Sequence, residues 1–256
     1  MEVLISYKAA IVISWFILIF VAERLYRAAA YPEKLSSKGL WLRLGSNLSI
    51  STINAILSPL LIIPLTVVLG SQLSSWRPEW MQHALFFLFD LILLDCFLYW
   101  WHRFSHRMPF LWRFHEVHHL DEFLDSTTAL RFHFGEVFIS AMVRVFVISL
   151  FAIPISSVIL FEIILMICTI FNHSNLNIPK KFDAILRKII VTPSIHWVHH
   201  HPKQEDTDSN YATIFSCWDL LFNTRNKKLR WNNMPIGVEQ RHELPLWQLL
   251  LRPLRK

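Results

Sequence analysis

Three short histidine-rich stretches carry the chemistry this sequence can do. They read HRFSH at 102–106, HEVHH at 115–119 and HWVHH at 196–200, and supply His102, His106, His115, His118, His119, His196, His199 and His200. All thirteen histidines of the 256-residue chain fall at or after position 83, and eleven lie between 102 and 201. On a helix, residues three and four apart share a face with Cβ atoms about 5–6 Å apart, so each stretch is expected to aim its imidazoles at one point. Eight neutral nitrogen donors are enough for two transition-metal ions with open positions. His83 and His242 stand outside the pattern and read as ordinary surface residues, and His201 reads as exposed at a helix end before Pro202.

Two other metal chemistries compete. His115, Glu116 and His119 also satisfy H-E-x-x-H, the pattern of a membrane zinc hydrolase whose glutamate is the general base. Such a site needs only one further protein ligand and leaves most of the remaining histidines without a purpose. A metal transporter would place its ligands near the bilayer midplane on broken helices, whereas here they follow the apolar segments.

The elements that must position these residues are apolar. The chain is 54% hydrophobic and 14% aromatic with 17% charged residues, which points to a membrane protein. Its net charge of +6 is scattered between greasy segments, so nucleic-acid binding is excluded in favour of anchoring beside a membrane. Cys96, Cys168 and Cys217 are widely spaced and imply no disulfide framework. Residues 3–22, 48–70 and 84–101 each read as a span, the second kinked by Pro59 and Pro64. Pro154 divides residues 137–172 into two apolar helices able to form a hairpin. Arg24, Arg27, Lys34, Lys38 and Arg43 follow the first span, which puts that loop and the histidine stretches on the cytoplasmic side. A retained anchor fits the N-terminus better than a cleaved signal, whose positive charge would precede its apolar core.

Asp95, Tyr99 and His102 lie along one face of the third span. An acid this deep in an apolar helix is a functional candidate, expected to accept a hydrogen bond from the non-ligating nitrogen of His102; lining a wet crevice or pairing elsewhere is the alternative. Glu162 is expected to face a cavity or pair with Arg144, and Phe86, Phe87, Phe89, Phe97 and the 137–172 hairpin are candidates to line a lipid passage. Ser194 is placed as the cap of the short helix that carries the third stretch.

Taken with the blocks DCFLYWWHRFSH, LWRFHEVHH, TTALRFH, FNHSNLNIP and NYATIFSCWDLLFNT, the three stretches resemble the fatty acid hydroxylase and sterol desaturase superfamily of membrane di-iron enzymes. The chain departs from that family's usual pattern at Phe134, Ala212 and Asn223, none of which is a histidine position. The resemblance implies two iron ions, O2 as co-substrate, and His173 and His133 as further ligands. It also implies hydroxylation or desaturation of a lipid C–H bond, with electrons from a separate partner of cytochrome b5 or ferredoxin type with its reductase. Asn210, Tyr211, Trp218 and Asp219 are expected to support the third stretch. The expected fold is all-α, a multi-pass membrane protein with four to five membrane-embedded helices and a cytoplasmic histidine-rich cap. Residues 1–82 would form the N-terminal spans and loop, and 83–256 the hydroxylase-like domain with its three histidine stretches.

Overall fold

The computed structural model describes residues 2–32, 37–62, 64, 77–78, 81 and 86–255. His83 and most of the expected second span beyond Ile62 lie outside the described residues. The fold is all-helical, and β pairing among the described residues is limited to the isolated bridges Arg27–Leu176 and Ile190–Phe215. The long helices are α1 (Glu2–Leu25), α2 (Ser37–Leu57), α3 (Phe86–Arg107), α5 (Phe134–Leu150) and α6 (Ile155–His173), with α4 (Pro109–His119) between α3 and α5. Shorter helices α7 (Lys180–Leu186), α8 (Pro193–His199), α9 (Gln204–Thr207), α10 (Cys217–Leu221) and α11 (Leu246–Leu251) form the C-terminal part.

Local sequence accounts for most boundaries. Pro154 is the residue before α6, so the long apolar run breaks into α5 and α6 where the ring cannot continue a helix. Pro109 and Pro193 open α4 and α8 from the first turn, where a missing N–H costs nothing. At Pro59 the end of α2 widens into a π turn, Ser58–Ile62, in keeping with the expected kink.

Among the described residues, α6 alone meets the length and hydropathy that a membrane crossing needs. The outward faces of other helices are nonetheless apolar: Ile13, Ile17, Leu18 and Val21 on α1, Leu88, Phe89 and Ile92 on α3, and Val143 and Phe146 on α5 are all exposed. Inside, Leu91, Leu94, Val158, Phe161 and Ile214 join α3 and α6 in one core cluster, while Ile19 and Ile170 join α1 to α6.

Polar clamps tie the first two helices to the histidine-bearing segment. Glu23, at the end of α1, accepts from the Ser126 hydroxyl at 2.6 Å and from the Asn175 N–H at 2.8 Å, gripping loops on either side of the site. Arg43 on α2 is buried against Asp121 and Asp125 and donates to the Phe123 carbonyl at 2.7 Å. Lys8 of α1 and Arg144 of α5 both pair with Glu162 of α6, so of the two expectations for Glu162 the structure selects the ion pair. Cys96, Cys168 and Cys217 are free thiols.

Candidate metal centre

Helix geometry sorts the histidines into two groups. His102, His106, His115, His119 and His199 form one, and His118, His173, His196 and His200 the other, with the ligand atoms of each within 4.8 Å of one another. Pairs at i,i+4 stay together: His102 with His106, His115 with His119, His196 with His200. Adjacent residues are separated by about 100° around a helix of 3.6 residues per turn, so the doublets His118–His119 and His199–His200 each give one imidazole to either group. The expectation that each stretch aims at a single point is therefore corrected for the second and third stretches. Those doublets are what divide the nine histidines into two groups.

Four histidines are oriented by hydrogen bonds from Nδ1. His102 donates to the Tyr211 carbonyl, His199 to the Ser209 carbonyl and His173 to the Thr169 carbonyl, each at 2.7 Å. His115 meets the Glu136 carboxylate, also at 2.7 Å. With Nδ1 acting as donor, the Nε2 lone pair is left pointing inward, the tautomer a metal requires. Inside, His118 Nε2 and His196 Nε2 lie 2.9 and 3.0 Å from His173 Nε2. Two nitrogens at right angles about an ion with bonds of roughly 2.1 Å are separated by about 3 Å, so the spacing fits shared coordination.

Orphaned atoms give the same answer. The Nε2 atoms of His106, His115, His119, His199 and His200 are buried with no hydrogen-bond partner. Unpaired buried polar atoms are costly, and a cation held in each group would remove the cost. Burial and the surrounding imidazoles hold His118, His119, His196 and His200 well below the usual histidine range, and burial pushes His199 down to about 3. These five imidazoles are neutral at physiological pH, the form that borderline divalent metals favour. The residues present fit two transition-metal ions.

Several expected residues stand elsewhere. His133 is in neither group: its Nδ1 accepts from the Gly135 N–H at 3.0 Å as the N-cap of α5, and its Nε2 meets the Leu250 carbonyl at 3.0 Å. Both its nitrogens are committed to the backbone. Asp95 does not meet His102, whose Nδ1 is taken by Tyr211. Its carboxylate accepts from the N–H groups of Ile214 at 3.3 Å and Phe215 at 3.0 Å, and from Trp218 Nε1 at 2.7 Å. Asp95 thus clamps the segment just after Tyr211 and bears on the site through the main chain. Asp219 does the same from the other side, accepting from the Tyr211 N–H at 2.8 Å. Asn210, in a left-handed conformation at φ 53° that asparagine tolerates, donates to the Ile195 carbonyl at 3.2 Å.

Ser194 does not cap α8. Thr192 holds the cap position, and the Ser194 hydroxyl donates to Asp183 at 2.8 Å. His201 is buried, not exposed, with Nδ1 3.0 Å from Asp206. His242 is the surface residue expected, with its side chain largely in solvent. Glu116 is bound by Arg241 and, at 2.8 Å, by Arg252, so the zinc-hydrolase reading loses its general base to a structural ion pair.

Glu136 was not legible as a site residue. Its signal is an acid three residues past His133 at the head of an apolar helix. Its placement depends on Gly135, where a Cβ would lie 2.5 Å from Phe114 Cε1; the bare backbone lets α5 start close against α4.

A cavity of about 230 Å³ opens onto both groups, with His102, His115, His118, His173 and His196 in its wall. The rest of the lining is mostly apolar and comes from α3, α5 and α6, including Leu98, Trp101, Val137, Leu165 and Met166. The hairpin contributes as expected. Phe86, Phe87, Phe89 and Phe97 do not; Phe87 packs in the α3–α6 core and Phe89 faces outward.

The fatty acid hydroxylase family model matches residues 87–224, just over half of the chain and all nine clustered histidines. The chain belongs to the fatty acid hydroxylase family. Among curated relatives, alkylglycerol monooxygenase of Danio rerio is 34% identical over 136 residues, covering 51% of this chain and 28% of that protein. Ornithine lipid hydroxylase OlsE of Rhizobium tropici is 25% identical over 163 residues, 64% of this chain and 48% of that protein. Human cholesterol 25-hydroxylase is 24% identical over 142 residues, covering 54% and 50%. The chain therefore spans half or less of the length of these relatives. No solved structure matches it.

Proposed function

We propose that this chain is a membrane-embedded, oxygen-dependent di-iron enzyme that hydroxylates a lipid C–H bond. The observation that carries the reading is the convergence of nine histidines as two buried groups on the wall of one apolar cavity. The printed activities of the relatives, all oxygenations of lipids, favour hydroxylation over desaturation. In this reading His102, His106, His115, His119 and His199 hold one iron and His118, His173, His196 and His200 the other. The irons, when bound, supply the activation of O2 and the cleavage of an unactivated C–H bond. The chain does the rest. The carbonyls of Tyr211, Ser209 and Thr169 and the Glu136 carboxylate keep four imidazoles in one tautomer and orientation. Leu98, Trp101, Leu165 and Met166 exclude water and leave room for an alkyl chain.

The apolar outward faces of α1, α3 and α5 support a multi-pass arrangement of four to five embedded helices, with 1–82 bracing the histidine-bearing 83–256. The positive loop after α1 supports a cytoplasmic site. Electrons come from a separate donor of cytochrome b5 or ferredoxin type with its reductase.

The test is metal content by elemental analysis of detergent-purified protein from iron-supplemented cells, beside His118→Ala and His199→Ala, followed by a lipid screen with O2 and reductant. About two irons per chain, reduced in each variant, with product formed only when both O2 and reductant are present, is expected. A single zinc that survives His199→Ala would overturn the reading.

A further inference from the structure

Along α5 the cavity wall carries Glu136, Ser140 and Arg144, four residues apart and so on one face. Glu136 is committed to His115 at the metal end. Arg144 stands eight residues further, a rise of about 12 Å, and side chains on a helix lean back toward its N-terminus. The Arg144 side chain forms part of the cavity wall, and its guanidinium reaches Glu162 of α6.

The charge around it does not balance. Arg144 lies 3.5 Å from Glu162, and the same carboxylate is held more closely by Lys8 of α1, so two cations share one anion. The long contact to Glu162 is the only ion pair of Arg144 among the described residues. Among the described residues, Glu136 and Arg144 are the only carboxylate and cationic side chain of the cavity wall apart from its histidines. An arginine in a mostly apolar cavity, held to its carboxylate by a contact of 3.5 Å, offers a planar fork suited to bidentate recognition of a carboxylate or phosphate.

We propose that Arg144, assisted by the Ser140 hydroxyl, binds the anionic oxygen group of the lipid substrate and sets which C–H bond reaches the histidine groups. The inference rests on the hydroxylase reading for its meaning, but ligand binding needs no turnover. A failed hydroxylation assay therefore leaves this test intact, and a failed binding test leaves the metal centre intact.

The test measures equilibrium binding to the full-length chain in detergent, by calorimetry, of palmitate, a palmitoyl lysophosphatidate and hexadecanol. Wild type is expected to bind at least one anion about 10–100-fold more tightly than the alcohol. Preference for palmitate assigns a free carboxylate, and preference for lysophosphatidate a phosphorylated headgroup. Arg144→Met should bring the anion to within a few-fold of hexadecanol while leaving hexadecanol unchanged. Glu162→Gln, which releases Arg144 from its competing carboxylate, should tighten anion binding, an effect of opposite sign that a role in tying α1, α5 and α6 together cannot give. No anion preference in wild type, an unaltered ratio in Arg144→Met, or weakened anion binding in Glu162→Gln overturns the proposal.

Discussion

Glu136→Gln is the substitution that tests the dinuclear reading most sharply, because it acts on one group of histidines and not on the other. The Glu136 carboxylate is buried and lies 2.7 Å from His115 Nδ1, while its second oxygen has no hydrogen-bond partner. Glutamine keeps the volume and an acceptor oxygen but removes the charge that makes His115 a stronger ligand. Loss of such a partner lowers metal affinity by about 10–100-fold, or about 1.4–2.8 kcal/mol. The hydrogen bond of Glu136 goes to His115 and to none of His118, His173, His196 and His200, so their ion should be held as before. The assay is metal titration of metal-free protein with competition by a chelator of known affinity. Wild type should show two sites, and the variant one unchanged site and one weakened by that factor. Equal weakening of both sites, or of neither, would refute the assignment of His115 to a group separate from that of His118. His118→Gln provides the reciprocal, weakening the four-histidine group first.

Other perturbations follow from the same geometry. Glu116→Gln leaves Arg241 and Arg252 without their carboxylate and should cost about 1–3 kcal/mol in thermal or chemical denaturation, with metal content retained; a zinc-dependent hydrolytic activity abolished by this substitution, with the metal still bound, would restore the zinc-hydrolase reading. Arg43→Met strands Asp121 and Asp125 in a buried site and should destabilise the fold by about 3–5 kcal/mol, read as a lowered denaturation midpoint. Acid should unfold the metal-free protein. His118, His119, His196, His199 and His200 have folded pKa values below the unfolded value near 6.5, His199 down to about 3, so the unfolded chain binds more protons at intermediate pH. Stability is complete above about pH 6.5 and falls on acidification by roughly 1.4 kcal/mol per pH unit for each such histidine. A melting temperature that stays flat from pH 7.5 to 5 would contradict this.

The histidine spacing carries a great deal of the site, because i,i+4 pairs on a helix must share a face whatever surrounds them. It cannot show how the groups divide, since His118 and His199 join whichever centre the packing of α4 and α8 presents to them. Nor can spacing show what orients the rings. Three of the four Nδ1 partners are backbone carbonyls, and a carbonyl exists at every position of a sequence; only the turn at Asn210 and the clamps from Asp95 and Asp219 bring that of Tyr211 to His102. This is also why Asp95 takes the alternative of pairing elsewhere and not the bond to His102. An acid on the same helical face as a histidine suggests a direct bond, but seven residues is about 10 Å of helix, beyond the reach of a short carboxylate. The charge works instead on backbone N–H groups and an indole that come from more than a hundred residues away. His133 fails as a ligand for a related reason: at the start of α5 the unpaired N–H of Gly135 is closer to it than any metal group, and its ring satisfies that donor. Asp95 and Asp219 thus serve the backbone that aims the imidazoles. Asp95→Asn should accordingly shift the pKa or the metal affinity of His102 less than it loosens the 214–218 segment, read as faster amide exchange there with near-normal iron content. Loss of iron without faster exchange would return Asp95 to direct contact with the centre.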